Sequence, residues 1–512
     1  MTITVLPNQP GEFWWGGVIN EGYMMPFGGR PHERDLRQTD DNQASPLLLS
    51  NLGRYIWCDG PFAFSFDDSS LTIDHSGQLS IEEGHETLQG AYLHACKLHF
   101  PPSGTAPDKL AFTAPQYCTW IEMFYEPSQE KLLAYAGAII NSGLPPGVLI
   151  LDDNWMNDYG TWDFDRHRFP DPAGMILSLH EMGFKIMLWV CPYVSPDSIT
   201  FRRLRGLGLL MQYTDGSPIL RRWWNGYSAI VDYTNPEGAA WFRQQLDRLV
   251  HDYGVDGFKL DAGEPLLPEL TDDIAGEIAW TRPVLPMEDC EAYARLGIGY
   301  PLSELRMCWK LGGQPLLQRQ RDKTHKWEAA TGLAGLIPDA IAQGLMGYAF
   351  NCPDMVGGGM DGDINSPDFH FDSELFIRSV QCSALFPVMQ FSMAPWRVLA
   401  GEEWTWCMNA VQLRTELGPL LSGLASEAAE NGLPILRHLE FVFPQQGFHD
   451  VQDQFMVGGS VLVAPVVNKG QTARVIRFPA GRWQGDDGSI VEGPAAVEVS
   501  APLSRLPWYR QI

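Results

Sequence analysis

Carboxylates and aromatic side chains at the ends of apolar strands are the residues of this sequence that could do chemistry. The stretch GVDGFKLDAGEP, residues 254–265, indicates a buried strand that ends in a carboxylate, because Gly263 and Pro265 interrupt the strand directly after Asp261. Alternate side chains of a strand share one face, so Lys259 and Asp261 are expected to point the same way. Taken alone, an Asp in this position is also typical of a turn or a helix cap.

From about residue 113, apolar strands alternate with helices. The strands are predicted at 117–123, 147–153, 185–190, 257–261, 304–309, 315–321, 347–354 and 388–392, and the helices at 128–142, 172–183, 328–345, 372–386 and 408–432, with one more that begins at the N-cap Asn235. Eight strands that are apolar on both faces predict an α/β fold, a (β/α)8 TIM barrel, because its parallel sheet is covered on both sides. A doubly wound open sheet would give the same local pattern, and the count of eight favours the barrel.

The barrel is predicted to lie between two β domains. Short alternating segments in residues 1–112 predict an N-terminal β-sandwich-like domain, and residues 113–432 form the (β/α)8 catalytic barrel. Residues 433–512 return to β alternation between glycine-rich turns, which predicts a C-terminal β-sandwich domain.

In a barrel of this kind the active site lies at the carboxyl ends of the strands. The predicted rim residues, in chain order, are Trp120 on strand one, Asp152, Asp153 and Trp155 after strand two, Trp189 on strand three, Asp261 on strand four, Arg306 and Trp309 on strand five, Asp322 after strand six, Asp354 after strand seven and Ser392 on strand eight. Carboxylates accept hydrogen bonds from hydroxyl groups and indoles cover apolar ring faces, so this rim suits a polyhydroxylated ligand. No His shares the rim in ligand spacing, and neither a metal nor another cofactor is expected.

Several of these positions have a structural alternative. Asp152 and Asp153 point to opposite faces, so only one is expected in the site, and the other is as typical of a helix cap. For the same reason one of Trp223 and Trp224 is expected in the core. His325 is predicted to be a solvated surface side chain.

The composition excludes some classes of partner. The chain of 512 residues has a net charge of −26, which argues against nucleic acid and anionic membrane surfaces. The N-terminal stretch lacks a basic region followed by an apolar one, so neither export nor membrane insertion is expected. The nine Cys residues show no CxxC motif and predict reduced, buried thiols, for which a cytoplasmic setting is the expectation.

Four motifs together resemble glycoside hydrolase family 31. They are LDDNWMNDYGTWDFDRHRFPDPAGM, RRWWNGYSAIVDYTNPEGAAWF, GFKLDAGE and PILRHLEFVFPQQGFHDVQDQFMVGGSVLVAPVV, and they follow one another in unbroken order over roughly residues 115–512. The resemblance implies a retaining α-glycosidase built from a β-sandwich, a (β/α)8 barrel and C-terminal β domains.

The resemblance also implies roles for two carboxylates. Asp261 matches the family's nucleophile. The family's acid/base Asp is preceded by an Arg sixteen residues upstream and followed by an aromatic residue five residues later, and Asp322 satisfies both offsets with Arg306 and Trp327. The family usually shows Trp-x-Gly-Asp at this point, whereas residues 319–321 are Arg-Gln-Arg, so a surface Asp among basic residues stays an alternative for Asp322.

The expected substrate follows from the end of strand eight. Where α-glucosidases of the family carry an Arg and a His, this chain has Gln390 and Ser392. The motifs LDDNW, RWWNG and MQFSMAPW are most similar to the branch of the family that contains α-galactosidases and the myogenesis-regulating glycosidase. The resemblance therefore implies a retaining exo-α-glycosidase, an α-galactosidase, in which Asp153, Trp155 and Trp224 are the candidates for contacting the axial C4 hydroxyl group.

Other functions stay open. Arg221 and Arg222 beside the WWNG motif are compatible with a sulfoquinovosidase, which needs a cationic pocket, and an α-glucosidase or a transglycosylase of the same family is a further alternative. A catalytically inactive sugar-binding protein is the non-enzymatic alternative, and the presence of both Asp261 and Asp322 argues against it. The expected partner is a small-molecule or oligosaccharide α-glycoside, and the sequence is compatible with a homo-oligomer.

Overall fold

The computed structural model describes residues 2–38, 42–67, 69–265 and 285–512. Within these ranges the chain divides into two compact units. One comprises residues 2–37, 42–116 and 310–512, and the other comprises residue 38 and residues 117–309.

The eight predicted barrel strands form one sheet. Numbered one to eight along the chain, they are Gln116–Cys118, Val148–Leu151, Lys185–Val190, Gly257–Leu260, Leu302–Leu305, Leu317–Arg319, Asn351–Cys352 and Gln390–Phe391. Their spatial order is 7-6-5-4-3-2-1-8. The pairings of strand two with three, three with four, four with five and six with seven are all parallel, which confirms the (β/α)8 barrel.

Backbone contacts join the two ends of this sheet. Val388 N donates to Asn351 O at 3.1 Å, and Val356 N donates to Gln390 O at 2.8 Å. An isolated parallel bridge pairs Met355 with Gln390. Strands seven and eight are therefore neighbours, as closure of a barrel requires.

Helices follow the strands, and several of them begin at a polar cap. Those of the second unit are Trp120–Met123, Gln129–Asn141, Pro172–Glu181, Ile199–Leu207, Pro236–Tyr253 and Pro286–Arg295. The predicted N-cap is confirmed, because the Asn235 side chain accepts a hydrogen bond from Glu237 N at 3.0 Å and Pro236 occupies the first helical turn. The first unit adds Leu336–Leu345, Asp361–Ile364, Ser373–Ser383, Pro395–Val398 and Gly401–Asn431.

Two further small sheets lie in the second unit. Met156–Asp158 pairs with Thr161–Phe164, and a three-stranded sheet has the order Tyr193–Val194, Gly226–Ile230, Leu220–Trp223. The last two strands form a hairpin whose register pairs Trp223 with Gly226, so Trp224 and Asn225 form a two-residue turn. Gly226 has a φ of +94°, and a glycine suits this tight turn because a left-handed backbone disfavours other residues.

The N-terminal segment contains two antiparallel four-stranded sheets. One has the order Thr2–Pro7, Ser70–His75, Ala63–Phe66, His32–Asp35, and the other the order Trp14–Val18, Ala44–Ser50, Tyr55–Cys58, Leu79–Glu82. The interpretation of this segment as β structure alone is incomplete, because a helix spans Leu88–His99. The Thr87 side chain caps this helix by accepting a hydrogen bond from Gly90 N at 3.1 Å.

The C-terminal β domain is one six-stranded antiparallel sheet. Its order is Leu436–Arg437, Phe455–Val457, Val461–Val463, Trp508–Gln511, Ala473–Gly485, Ile490–Ser500. A buried apolar cluster that includes Met456, Leu462, Ile476, Phe478 and Trp483 forms its core.

Some predicted strand boundaries are wrong. Trp120 begins the helix Trp120–Met123 and does not lie on strand one, which ends at Cys118. Strand five ends at Leu305, so Arg306 and Trp309 lie in the segment after it. In both cases further apolar residues follow within a few positions of the point where strand pairing ends, and periodicity does not mark that point.

All nine Cys residues are buried free thiols, which confirms the interpretation of the cysteine pattern. Among the described residues, no helix is long and apolar enough to cross a membrane.

Candidate active site

Asp261 follows strand four directly and is held by two donors. Trp189 Nε1, on strand three, donates to Asp261 Oδ2 at 3.0 Å, and Arg306 Nε donates to Asp261 Oδ1 at 3.1 Å. The side chain of Asp261 is 13% exposed. Donors on both oxygens, one of them a cation, fix the orientation of this carboxylate.

The Arg306 guanidinium connects Asp261 to a second carboxylate. Its Nη2 forms an ion pair with Glu264 Oε1, and both side chains are nearly buried. The ring of Trp224 covers the guanidinium, with 5.6 Å from Cζ to the ring centroid. Since Trp224 is 50% exposed, it presents an indole to solvent beside the group that holds Asp261.

Lys259 and Asp152 form a buried ion pair. Lys259 Nζ lies 2.7 Å from Asp152 Oδ2, and Cys118 Sγ donates to the same oxygen at 3.0 Å. Both charged side chains are less than 5% exposed. The pair links strand four, which directly precedes Asp261, to the end of strand two.

Asp153 is a buried carboxylate with neutral partners. Its Oδ2 accepts hydrogen bonds from Asn225 Nδ2 at 2.9 Å and from the Tyr159 hydroxyl group at 3.3 Å. Burial, reinforced by the charge of Asp152, raises the pKa of Asp153 to about 7. Asp152 and Asp153 are thus both buried, but only Asp152 has a cationic partner among the contacts described.

Three rim residues adopt a left-handed backbone. Asn154 follows Asp153 with a φ of +68°, Ala262 follows Asp261 with a φ of +56°, and Asp354 itself has a φ of +72°. Non-glycine residues rarely adopt this conformation, and it concentrates where the surrounding structure fixes a functional side chain. The strain therefore marks the ends of strands two, four and seven.

In the first unit, Arg319 is shared by two carboxylates. Its Nη1 lies 2.7 Å from Asp322 Oδ1 and also forms an ion pair with Asp354. Arg319 and Asp354 are buried, whereas the Asp322 side chain is 41% exposed. Asp322 therefore has a structural partner, because a buried guanidinium orients its partly exposed side chain.

Asp354 is buried at the end of strand seven. Its Oδ2 accepts a hydrogen bond from Lys323 N at 2.8 Å, so it fixes the backbone directly after Asp322. Burial raises the pKa of the Asp354 carboxyl group, the charge of Asp322 adds to this, and Arg319 opposes it. Asp354 acts as a support for the Asp322 segment.

His325 is buried, and the prediction of a solvated surface side chain is wrong. Its Nδ1 lies 2.6 Å from Gly357 O, its Nε2 accepts from Asp372 N at 2.8 Å, and its ring stacks on Phe371. The loop after strand seven supplies these partners, and the local sequence around His325 gives no sign of them.

The remaining predicted residues differ in exposure. Trp155 is fully buried, donates from Nε1 to Trp189 O at 2.8 Å and packs on Phe164, so it supports Trp189 from within the core. Trp309 is also buried, and Trp120 is partly exposed and contacts Tyr125. Trp223 is partly buried and Trp224 is exposed, so the expectation that one of them lies in the core is wrong.

Gln390 on strand eight donates to Gln116 Oε1 at 2.9 Å, and Ser392, directly after that strand, is buried. Among the residues with direct contacts to the predicted ones, Tyr159, Asn225 and Glu264 were not identified as site residues from the sequence. All three lie within the motifs quoted above. Their closeness in sequence to the predicted rim residues is the signal that could have identified them as site residues.

A (β/α)8 barrel whose strands end in oriented carboxylates and indoles is the architecture of carbohydrate-active enzymes. The sequence profile of the glycosyl hydrolases family 31 TIM-barrel domain matches residues 106–287, and that of the family 31 C-terminal domain matches residues 432–511. The chain belongs to glycoside hydrolase family 31.

Relatives and solved structures agree with this assignment. The chain is 32% identical to a myogenesis-regulating glycosidase from Mus musculus over 79% of its own length and 57% of the relative's. It is 28% identical to alpha-glucosidase 2 from Bacillus thermoamyloliquefaciens over 75% of its own length and 50% of the relative's. The chain thus spans about half the length of these two proteins.

The fold matches that of a family 31 dextranase from Flavobacterium johnsoniae, solved in complex with glucose. The TM-score is 0.86 at 21% identity, and the match covers 99% of this chain and 66% of the dextranase.

Proposed function

We propose that the protein is a retaining exo-α-glycosidase that releases terminal α-linked galactose, with Asp261 as nucleophile and Asp322 as acid/base. The observation that carries the proposal is the orientation of Asp261 by Trp189 Nε1 and Arg306 Nε. A nucleophilic carboxylate must be fixed before the reaction, and these two donors hold Asp261 in place, one of them with a positive charge.

In the first step an Asp261 oxygen attacks the anomeric carbon, and the bond from that carbon to the leaving oxygen breaks. Asp322 gives its proton to the leaving oxygen, and a covalent glycosyl-aspartate forms. In the second step water attacks the anomeric carbon, returns a proton to Asp322 and releases Asp261. Retention requires the two carboxyl groups to lie about 5 to 5.5 Å apart, and this separation stays a prediction.

Asp322 suits the acid/base role through its partner and its exposure. The buried Arg319 fixes its orientation, and its side chain is 41% exposed, which gives water access for the second step. Arg319 is also paired with Asp354, so one guanidinium serves two carboxyl groups.

The choice of galactose rests on the sequence resemblance and on the turn that carries Trp224 and Asn225. Asn225 donates to Asp153, and Trp224 covers Arg306, so the turn contacts both the nucleophile's support and the carboxylate proposed to receive the axial C4 hydroxyl group. An axial hydroxyl group needs a hydrogen-bond partner in a different position from that needed by an equatorial one. A residue of this turn would provide a partner in such a position.

A sulfoquinovosidase is the second candidate, and Arg222 favours it. Arg222 is exposed and directly precedes the aromatic pair of the turn, where a sulfonate would need a cation. Arg221 is a poorer candidate, because it is buried and donates from Nη1 to Glu264 O at 2.7 Å.

Substrate assays distinguish these candidate functions. The protein is assayed with p-nitrophenyl α-galactoside, α-glucoside and α-sulfoquinovoside, with Asp261→Ala as the inactive control. We expect turnover of the galactoside to exceed that of the others. Turnover of the sulfoquinovoside alone, abolished in Arg222→Ala, would instead establish the second candidate, and no turnover of any α-glycoside would favour a sugar-binding protein.

The catalytic roles have their own tests. Asp261→Gly should lose activity and regain it with azide, which replaces the carboxylate and gives a β-configured glycosyl azide. Asp322→Ala should lose activity on natural glycosides while it keeps formation of the covalent intermediate from aryl glycosides, whose leaving groups need no acid. Full activity of Asp322→Ala on natural glycosides would remove Asp322 from the acid/base role.

A further inference from the structure

A second cluster of chemically active side chains lies in the N-terminal segment, outside the rim residues. Glu82, His85 and His94 each present a ligand atom, and the three atoms lie within 4.8 Å of one another. All three side chains are partly buried. None of them has a part in the proposed glycosidase mechanism.

The fold fixes the positions from which these side chains converge. Glu82 ends the strand Leu79–Glu82, and its register partner across the sheet is Tyr55, so both side chains lie on one face of that sheet. His94 lies on the helix Leu88–His99, which packs on the same sheet. His85 lies in the connection between strand and helix.

The connection holds His85 rigidly. His85 N donates to Gly53 O at 3.1 Å, and His85 O accepts from Thr87 N at 2.7 Å. The flanking Gly84 and Glu86 both have positive φ, of +88° and +65°. With the backbone in this conformation, the His85 ring contacts His94 on the helix that it precedes.

The two imidazoles are in direct contact. The ring centroids of His85 and His94 lie 4.1 Å apart, with an interplanar angle of 26°. His94 Nδ1 lies 3.1 Å from the Tyr55 hydroxyl group, which leaves Nε2 as the ligand atom of this ring. His85 Nε2 is buried and has no hydrogen-bond partner in the part of the chain that the structure describes.

We propose that Glu82, His85 and His94 form a binding site for a divalent transition metal ion, with Zn²⁺ as the best fit. Two imidazole nitrogens and one carboxylate oxygen are a common zinc ligand set, whereas Ca²⁺ and Mg²⁺ prefer sites made of oxygen alone. The observation that carries the proposal is that His85 belongs to this cluster while its Nε2 is buried without a hydrogen bond in the described part of the chain.

The geometry needs only small side-chain adjustments. Ligand atoms around tetrahedral zinc lie about 3.3 Å apart, given bonds of about 2.0 to 2.1 Å, so the present separations of up to 4.8 Å must shorten by at most about 1.5 Å. Rotation of the imidazoles out of their stacked arrangement turns both nitrogens toward one point. The Tyr55 hydroxyl group would accept a hydrogen bond from the N–H at His94 Nδ1 and so orient the ring. This is the usual role of a residue that contacts a metal ligand from outside the metal site.

Metal coordination would also affect the stability of the N-terminal segment. A bound ion would cross-link the helix Leu88–His99 to the strand Leu79–Glu82, so the site is expected to stabilise the N-terminal segment.

Zn²⁺ alone is the probe for the test. The full chain is freed of metal with EDTA, and Zn²⁺ binding is measured by isothermal titration calorimetry and by equilibrium dialysis with elemental analysis. We expect about one Zn²⁺ to bind with a Kd of about 10 μM or tighter, and Tm to rise with Zn²⁺. The variant His85→Ala/His94→Ala should lose this binding and the rise in Tm, with glycosidase activity unchanged.

Two further variants make the result decisive. Glu82→Gln keeps the side-chain volume and should weaken Zn²⁺ binding at least tenfold, which covers the case in which the double variant does not fold. His251→Ala removes an imidazole that is 88% exposed on another helix, and it should bind Zn²⁺ as the original chain does. The proposal is overturned if the original chain binds no Zn²⁺ at about 0.1 mM, or if the double variant and Glu82→Gln bind it equally well.

Discussion

The indole N–H of Trp189 donates a 3.0 Å hydrogen bond to Asp261 Oδ2, and the carbonyl group of Trp189 accepts the N–H of the buried Trp155. The carboxylate proposed as nucleophile is thus tied to a chain of two tryptophans, one of which is fixed in the core. Arg306 holds the other oxygen of Asp261. The orientation of the nucleophile therefore depends on side chains from strand three and from the segment after strand five.

The first prediction concerns Trp189→Phe. The variant keeps an aromatic ring but removes the donor to Asp261, and a hydrogen bond to a charged group contributes about 1.5 to 3 kcal/mol. We expect kcat/KM on the aryl α-galactoside to fall about 10- to 100-fold. Trp162→Phe is the matched control, because Trp162 is equally buried but its Nε1 has no hydrogen-bond partner among the described residues. Equal losses in both variants would mean that packing, and not the hydrogen bond, causes the effect.

The second prediction concerns the stability of the Lys259–Asp152 pair. Lys259→Met leaves the buried Asp152 without its cation, and the free energy of unfolding should fall by about 3 to 5 kcal/mol. Lys259→Met/Asp152→Leu removes both charges and should recover most of this loss, as measured by urea unfolding. Lys131→Met breaks an exposed ion pair with Glu126 and should change stability by less than about 1 kcal/mol. A double variant no more stable than Lys259→Met would contradict this account.

The third prediction concerns Trp224→Ala. Trp224 is half exposed and lies over Arg306, so the variant should leave stability within about 0.5 kcal/mol of the original. We expect KM for the galactoside to rise about tenfold with a smaller change in kcat, because an indole that covers a sugar ring contributes to binding before and during the reaction. Tyr227→Ala, an exposed aromatic residue on the same hairpin, is the control and should leave KM unchanged.

The barrel was predictable because its signals are local. The predicted bounds of strand three match the observed ones. Asn235 followed by Pro236 marks a helix start, because the Asn235 side chain accepts a hydrogen bond from a backbone N–H only two residues further along the chain. Strand ends were predicted less well, since apolar residues such as Trp120 continue past the last paired residue. The helix Leu88–His99 was missed, although Thr87 carries the capping side chain.

The site was predictable as a set of residue types but not as a set of contacts. Asp354 was placed at the rim by counting strands, yet its pairing with Arg319 depends on the parallel alignment of strands six and seven. The pairing of Asp153 with Asn225 likewise joins two separate motifs. Such contacts arise from the fold of the barrel and have no periodicity along the chain.

The fourth prediction concerns the pH dependence that Asp153 imposes. Its pKa in the folded protein is about 7, above the value of about 3.9 in an unfolded chain. The folded state therefore retains a proton that the unfolded state releases, and the contribution of Asp153 to stability falls as pH rises from about 4 to about 7. Above pH 7 the carboxylate is ionised and can accept a hydrogen bond from a sugar hydroxyl group in addition to those from Asn225 and Tyr159.

We therefore expect kcat/KM for the galactoside to rise with pH through an inflection near 7, because this parameter reports ionisations of the free enzyme. Asp153→Asn cannot ionise, so its profile should lose that inflection and its kcat/KM should be reduced at high pH. Asp158→Asn is the control, since Asp158 is exposed on the neighbouring hairpin and should leave the profile unchanged. If the inflection near pH 7 persisted in Asp153→Asn, the ionisation would belong to another group. The charged form of Asp153 would then have no part in substrate recognition.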